Sequence, residues 1–299
     1  MQRALPCKIV QDVRAAAGKM AAMDGTASVR IARDLGGLEL IEAVHHRPNF
    51  PRHSHPTYAI GVVRAGANRF RYRGAFHTAP AGTLCTVTPD EAHSVEPADH
   101  HGFAYWCLYP SLELVTSTAE AVAGKRPSGT LVLPPVLEDT EAAGLLRAVF
   151  EAEAAAAPRM ARETRLLALL SHVLVRHATA SVLVRGKPAP TSALARARDI
   201  LAACSSAKLG LGQLAAMVGL DPFTLVRGFA RAYALPPHAW LIQERVRRAQ
   251  ACLRAGLSPA AVAAEVGFAD QSHLCRHFKR IVGVTPGLYR RAASTRDTV

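Results

Sequence analysis

A unit that occurs twice in the last third of the chain constrains the fold more than any other feature of this sequence. The first half of the unit recurs at a separation of 48 residues, and the second half recurs at 49 after one inserted residue. The matched pairs include Leu214/Val262, Val218/Val266, Gly219/Gly267, Leu225/Leu274, Arg227/Arg276 and Phe229/Phe278. Such a repeat predicts that this part of the chain builds the same supersecondary element twice.

Each copy has the pattern of two short helices joined by a tight turn at a glycine. Gly219 and Gly267 suit the left-handed backbone conformation, in which a side chain would be penalised. Asp221 and Asp270 are suited to cap the helix that follows, and Pro222 suits the first helical position of the first copy. Each copy is therefore predicted to be a helix-turn-helix.

The second helix of each copy separates an apolar stripe from a basic residue. The apolar pairs, each four residues apart, are Leu225/Phe229 and Leu274/Phe278, and they are predicted to pack onto the preceding helix. Arg227 and Arg276 fall outside this stripe, near the start of the helix. A recognition helix presents side chains to base edges in the major groove from this position.

A single long helix is predicted between the two copies, over residues 236–253. One side of it carries Ile242, Val246, Ala249 and Leu253. A rigid helix would hold the two units at a fixed separation. One chain could then place two recognition helices in successive major-groove faces, about 34 Å apart for one helical turn.

The basic charge of the chain is concentrated in the same region. Residues 191–299 hold 15 Lys/Arg and 6 Asp/Glu, whereas residues 1–190 hold 21 and 17, and the whole chain has a formal charge of +13. A basic excess of this kind suits a surface that neutralises DNA phosphates. A composition rich in Ala and Arg gives the same bias. The charge therefore supports the DNA-binding interpretation of the repeat but would not establish DNA binding by itself.

The second copy carries a family resemblance along its whole length. The run GLSPAAVAAEVGFADQSHLCRHFKRIVGVTPGLYRR, Gly256–Arg291, resembles the second helix-turn-helix and signature region of AraC/XylS transcription regulators. Residues 211–240 resemble that family's first helix-turn-helix more loosely, because Gly228 stands where a larger residue is usual. The residues that the resemblance assigns to DNA binding are Phe223, Thr224, Val226 and Arg227 in the first unit, and Gln271, Ser272, His273, Arg276 and Lys279 in the second.

This resemblance implies a sequence-specific transcription regulator that binds double-stranded DNA and is not an enzyme. By family habit it is an activator rather than a repressor, with RNA polymerase among its partners, and it forms a homodimer. The resemblance also implies a small-molecule effector bound by the N-terminal part. The reading face of the first unit is the less polar of the two, so Arg276 is expected to carry more of the base recognition.

The N-terminal part has the pattern of an all-β sandwich or barrel followed by two helices. Short strand-like runs divided by turn residues extend from Val29 to about Tyr109; they are Leu38–Val44, Tyr58–Val63, Arg69–Tyr72, Gly82–Thr88 and Phe103–Tyr109. Residues 140–157 and 159–178 are predicted to be helices. The predicted organisation is an arm at 1–28, a cupin-like effector and dimerisation domain at 29–180, a linker at 181–192, a double helix-turn-helix at 193–293 and a tail at 294–299.

Residues 48–95 resemble the two motifs of the cupin barrel, the jelly-roll sensor commonly joined to AraC-type modules. The resemblance rests on Gly74, Pro80, Gly82 and His93, with His53 and His55 upstream. A small organic effector is the preferred occupant, and the polar and aromatic candidates for binding it are Arg52, His55, Tyr58, His93 and Trp106. No cofactor is expected.

Two alternatives stay open for the histidines of this barrel. His53, His55 and His93 would form a three-nitrogen metal site if all three faced the interior, but no glutamate follows His55 at the spacing of the metal cupins. The other alternative is that His53 faces solvent while His55 and His93 form hydrogen bonds within the barrel. The metal alternative would suit a cupin enzyme fused to a DNA-binding tail, and the net charge alone would suit a nucleoid-type DNA binder without an effector.

The sequence shows no sign of export or of a membrane span. The N-terminus lacks an apolar core segment, and no stretch approaches the roughly 18 uninterrupted apolar residues of a spanning helix. The six cysteines are scattered and lack the spacing of a metal or redox motif, so they are interpreted as small buried apolar residues. These features predict a cytoplasmic protein that does not contact membranes.

Overall fold

The computed structural model describes residues 27–45, 50–178, 191–205 and 209–294. Their contacts form two units, one up to residue 182 and one from residue 183 onward, except that Phe50–Ser54 group with the second. The first unit is rich in strands and the second is helical, which confirms the predicted fold class. Residues 1–26 of the predicted arm, residues 181–190 of the predicted linker and residues 295–299 of the tail lie outside the described residues.

The described strands extend the pattern that the sequence predicts. They are β1 Ala27–Ala32, β2 Leu38–His45, β3 Phe50–His53, β4 Ala59–Tyr72, β5 Ala75–Pro80, β6 Leu84–Val87, β7 His93–Pro97, β8 Phe103–Tyr109 and β9 Val136–Leu137. One path of hydrogen-bonded neighbours runs β1-β2-β8-β4-β6-β9. Strand β1 begins at Ala27 rather than Val29 because Ala27 and Ser28 pair with Ala43 and Glu42.

Strand β4 is a single long strand where the sequence predicts two. Its first half pairs with β6 and β8, and its second half pairs with β5 and β7. The register against β8 shifts between Val63 and Ala65, so Arg64 is the extra residue of a β-bulge. The Ala-Gly-Ala-Asn run at 65–68 has the composition of a turn, but pairing on both sides keeps it extended.

The main sheet has an apolar layer of helices on one face. Leu40, Ile60 and Leu108 pack there with Leu146 and Leu169 of the helices. The residues that alternate with these on the strands, including Val63, Phe103 and Cys107, form a second buried cluster on the opposite, interior face. Because side chains alternate along a strand, each strand contributes to both clusters.

The first unit has three described helices, where the sequence predicts two. They are α1 Leu112–Ala123, α2 Thr140–Ala154 and α3 Arg159–His177. The sequence analysis did not predict α1, although the signals for both of its ends are present. The Ser111 side chain accepts a hydrogen bond from Leu114 N, and Gly124 ends the helix in the left-handed conformation. The leucine-rich stripe of α3 is buried against the sheet.

The second unit consists of seven described helices. They are α4 Ser192–Ala203, α5 Leu211–Val218, α6 Pro222–Tyr233, α7 Pro237–Arg254, α8 Pro259–Val266, α9 Gln271–Val282 and α10 Pro286–Ser294. Pairs α5–α6 and α8–α9 are the two copies of the repeat, and α7 is the predicted connecting helix.

The turn chemistry of both copies is as predicted. Gly219 and Gly267 have φ values of +70° and +87°. Asp221 accepts hydrogen bonds from the N–H groups of Phe223 and Thr224, and Asp270 accepts one from the N–H of His273. The apolar pairs of the second helices, Leu225/Phe229 and Leu274/Phe278, are fully buried.

None of the helices in the described ranges is both long enough and apolar enough to cross a membrane.

Candidate functional site

Helix α6 presents a mixed apolar and basic face. Phe223, Thr224 and Arg227 are exposed, and Val226 is half-buried. Phe223 is 68 % exposed, and the Arg227 guanidinium lies 5.2 Å from the centroid of its ring. This cation–π contact holds the arginine over an apolar platform. The side chains that the sequence assigns to the first reading face therefore do lie on one exposed surface.

Helix α9 presents a more polar face. Gln271, Ser272, Arg276 and Lys279 are exposed. His273 is half-buried, with its Nδ1 accepting a long hydrogen bond of 3.5 Å from Ala269 N. Its ring packs against those of Phe268 and His277. The imidazole of His273 is thus fixed by the helix-turn-helix itself, whereas the other four side chains extend into solvent.

The basic residues of these two faces differ from those of the connecting helix in their partners. In the described part of the chain, no carboxylate forms an ion pair with Arg227, Arg276 or Lys279, whereas Arg247 and Arg248 of α7 are paired with Glu244. A cation that the protein does not neutralise can displace counterions from DNA phosphates or donate to base edges.

Helix α4 accounts for the glycine in the middle of α6. A Cβ atom on Gly228 would lie 3.2 Å from the Cδ1 atom of Leu194 on α4. This is tighter than ordinary van der Waals contact, so a larger residue would push the two helices apart. The departure from the family pattern at this position is therefore a consequence of how α4 packs.

Hydrogen bonds from arginines of α7 connect this helix to the end of α4 and to α10, which flank the two copies of the repeat. Arg245 Nε donates to the carbonyl of Ser205 at 2.6 Å, and Arg248 donates to the carbonyl of Ala202. Near the other end of the helix, Arg254 donates to the Tyr289 hydroxyl at 2.7 Å. One continuous helix thus connects the two copies of the repeat, as the sequence predicts.

In the first unit, the residues predicted to bind an effector lie on opposite faces of the sheet. Tyr58 and Trp106 belong to the helix-facing cluster. The ring of His55 packs instead against those of His93 and Tyr109, with centroids 5.0 and 5.4 Å apart, and Tyr109 lies on the interior face. A single site that contains all the predicted residues is therefore not formed, because neighbouring positions on β8 point in opposite directions.

Arg52 and His53 lie on β3, whose contacts group it with the second unit. Arg52 is exposed. His53 is buried rather than facing solvent, and burial lowers its pKa, so the imidazole is neutral. Among the described residues, His53, His55 and His93 do not form a group with the mutual spacing of metal ligands.

Tyr58 and Trp106 have distinct roles on the helix-facing side. The Tyr58 hydroxyl donates to the carbonyl of Leu131 at 2.9 Å, and burial raises its pKa to about 12. The Trp106 ring stacks on Phe150 with centroids 5.1 Å apart, and the Arg64 guanidinium lies 3.9 Å from its centroid. The bulge at Arg64 places this cation on the indole. Both residues are thus part of the contact between sheet and helices.

The interior face carries polar groups that sequence reasoning missed. Tyr105, Tyr109, Cys85 and Cys107 lie there, and burial raises the pKa of both thiols to about 12 and the pKa of both phenols further. All four groups are therefore neutral. Tyr105, Tyr109 and Cys85 nevertheless retain accessible surface. These polar groups on one face of the sheet are the candidate lining of a ligand site.

The sequence carried a signal for this lining. Tyr105, Cys107 and Tyr109 alternate along β8, so they share one face, and His93 and His55 contact the last of them. The sequence analysis names Trp106 as an effector-binding candidate, but the structure places Trp106 on the helix-facing side and its neighbour Tyr105 on the interior face.

Two family models match the chain, one for each unit. Residues 35–170 match the AraC-like ligand binding domain, and residues 214–292 match a helix-turn-helix domain. The first match spans β2 to α3 with the interior face, and the second spans both recognition helices. The order of the two matches is that of the two structural units.

Individual proteins extend this likeness over most of the chain. An uncharacterised HTH-type transcriptional regulator of Bacillus subtilis, YbfI, is 25% identical over 227 residues, which cover 75% of this chain and 81% of that protein. An apo variant of ToxT from Vibrio cholerae has a TM-score of 0.51 at 10% identity, over 90% of this chain and 97% of its own. ToxT bound to a methylnaphthalenyl butenoic acid has a TM-score of 0.50 at 10% identity, over 91% and 100%.

At such low identity the ToxT structures show only a shared two-domain fold. The family assignment rests on the two family models. The chain belongs to the AraC family of DNA-binding transcription regulators, with an N-terminal ligand-binding domain followed by a helix-turn-helix domain.

Proposed function

We propose that this regulator activates transcription when a small neutral molecule occupies the interior of its N-terminal unit. The observation that carries the proposal is a polar cluster on the interior face, where the rings of His93 and Tyr109 pack against that of His55 and where Tyr105 shares the face with Tyr109. An effector acts by binding one DNA-binding arrangement more tightly than another. The protein itself catalyses no reaction in this proposal.

The chemistry of the interior favours a small molecule with an apolar body and one or two hydrogen-bonding groups. Phe70 and Phe103 belong to the same apolar cluster as the two tyrosines. An anionic group would have to enter a region where burial already disfavours ionised phenols and thiols. We therefore expect uncharged phenols, alcohols, ketones or amides rather than carboxylates or phosphates.

A thermal-shift screen of a metabolite panel on the full-length chain tests the effector site. A molecule that binds only the folded state raises the apparent stability by about 2.7 kcal/mol at one hundred times its Kd. Tyr109→Phe should reduce the shift, and Tyr233→Phe, whose hydroxyl lies in the other unit against the Leu194 carbonyl, should leave it unchanged. The proposal that the interior binds a neutral effector would be overturned if all molecules that raise the stability were anionic. It would also be overturned if their thermal shifts were the same in Tyr109→Phe as in the wild type.

The DNA-reading part of the proposal rests on Arg276 of α9, which is exposed and unpaired by carboxylates of the described chain. Arg276→Ala should cost roughly 1–3 kcal/mol in binding to the protein's own upstream DNA. The matched control is Arg147→Ala, which removes the same charge from an exposed position on α2. Equal affinities of wild type and Arg276→Ala in footprinting titrations would refute the assignment of α9.

We further propose that the regulator acts as a homodimer and contacts RNA polymerase. Helix α3 supports the dimer, because Met160, Leu167 and Val175 are 78%, 45% and 66% exposed and fall on one side of the helix. Transcription with purified RNA polymerase, with and without an effector found in the screen, tests activation. An effector that lowers the transcript yield would make the protein a repressor.

A further inference from the structure

A cluster of one carboxylate and two imidazoles joins the start of α2 to the end of α3. Asp139 is the N-cap residue of α2, and His172 and His177 lie in the C-terminal part of α3. One ligand atom from each side chain lies within 4.8 Å of the other two. We propose that Asp139, His172 and His177 form a binding site for a divalent transition-metal ion, with zinc as the ion to be tested.

The three side chains converge on a single point. Nε2 of His172 lies 2.9 Å from Asp139 Oδ2, and Nε2 of His177 lies 2.7 Å from the same oxygen. Asp139 Oδ1 is engaged separately, since it accepts the N–H of Ala142 at 2.9 Å as the helix cap. The cap therefore orients the carboxylate and leaves Oδ2 toward the histidines. Two imidazole nitrogens and one carboxylate oxygen are donors that zinc takes in proteins.

The cluster is protected but reachable. The side chains of Asp139, His172 and His177 are 8%, 12% and 22% exposed. A partly buried site of this kind excludes most of the solvent and still admits an ion from the surface.

The surroundings of His172 supply a second observation. Its Nδ1 lies 3.5 Å from Glu141 Oε1, so both ring nitrogens face carboxylate oxygens. A neutral imidazole has one N–H, and in the absence of a cation one nitrogen lone pair would oppose an oxygen. A metal on Nε2 resolves this, because Nδ1–H then donates to Glu141. Metal-bound histidines are typically oriented by such a carboxylate.

One cation of the protein itself competes for these carboxylates. Arg176 Nε lies 3.9 Å from Asp139 Oδ2, and its Nη1 atom lies 3.7 Å from Glu141 Oε2. The arginine side chain is 59% exposed, and exposed ion pairs at these distances contribute little. Arg176 can therefore turn away when a metal ion binds. The metal-free alternative is a cluster in which the two imidazoles donate hydrogen bonds to Asp139 without an ion.

The test uses the full-length protein, stripped with a chelator and then titrated with zinc. We expect one zinc ion per chain by elemental analysis, and a visible d–d spectrum when cobalt replaces zinc. The His172→Ala/His177→Ala double variant should lose both signals. Glu141→Gln should weaken zinc binding by about 10–100-fold, as for other groups that orient a ligand histidine. The control is His100→Ala/His101→Ala, an exposed pair, which should retain both signals.

Asp139→Asn keeps a side-chain oxygen for the helix cap but removes the anionic ligand, so it tests the site without relying on variants that fail to fold. Weaker zinc binding with an unchanged circular dichroism spectrum would support the site. A protein without stoichiometric zinc, or one whose zinc affinity is the same in the double variant and the His100/His101 control, would overturn it and leave a hydrogen-bonded cluster without an ion.

Discussion

Ala234 and Gly283 occupy equivalent positions of the repeat, at the C-terminal ends of α6 and α9. Both are in the left-handed conformation, with φ of +62° and +88°. An L-residue with a Cβ atom is strained there, whereas glycine is not. The first copy of the repeat therefore stores strain that the second copy avoids.

Ala234→Gly should stabilise the protein by about 1 kcal/mol, because it removes this strain. Urea denaturation of the full-length chain, followed by helical signal, measures the free energy of unfolding. Gly283→Ala should have the opposite effect. Ala230→Gly, in the middle of α6, serves as a control and should destabilise by roughly 0.5–1 kcal/mol. A destabilised Ala234→Gly variant would show that the strain at this turn is not relieved by glycine.

The two reading faces should differ in what their residues contribute. Phe223 and Val226 offer apolar contact, and Arg276 offers a forked donor suited to guanine. Arg276→Ala should therefore relax sequence preference more than Phe223→Ala or Val226→Ala does. Binding to a library of operator variants measures this preference directly. If Phe223→Ala broadens the preference as much as Arg276→Ala does, the asymmetry between the copies is absent.

At the scale of helix α9, His277 makes the stability of the DNA-binding unit depend on pH. Burial lowers its pKa, and the neighbouring charges of His273 and Arg280 lower it further. The unfolded chain thus binds a proton more readily than the folded one. Stability is complete above the unfolded pKa of about 6.5 and falls as the pH drops below it.

His277→Phe keeps a ring that can stack on Phe268 but removes the titration. The free energy of unfolding should then fall less steeply between about pH 7 and pH 5 than in the wild type. His100→Phe, a change at an exposed histidine of the other unit, serves as the comparison. Parallel pH profiles of wild type and His277→Phe would show that other groups carry the acid sensitivity.

What the sequence predicts well are the elements whose boundaries depend on local chemistry. Gly219, Gly267, Asp221 and Asp270 act within a few residues of their own position, so the repeat and its caps could be predicted from the pattern. The continuity of β4 could not, because only pairing with distant strands keeps its central residues extended. The candidate ligand site could not be predicted either. Alternation along β8 puts Tyr105 and Trp106 on opposite faces of the sheet, but which face the helices cover depends on packing between distant parts of the chain.

At the scale of the whole molecule, the exposed row on α3 predicts how the protein assembles. Leu167→Glu should weaken the homodimer, because it places a charge in the centre of the apolar row formed with Met160 and Val175. Sedimentation analysis measures the change. Leu112→Glu, at a comparably exposed position on α1, should leave the dimer intact. A wild-type protein that sediments as a monomer at every concentration would contradict the dimer itself.

The position of β8 between two buried layers makes it a partition that can transmit force. Tyr105 and Tyr109 lie on one side of it, and Trp106 stacks on Phe150 of α2 on the other. If a molecule entering the interior shifts the backbone of β8 at Tyr105 or Tyr109, the same shift moves the indole of Trp106. We therefore expect the helix layer to respond to an occupant through β8, without the occupant touching a helix.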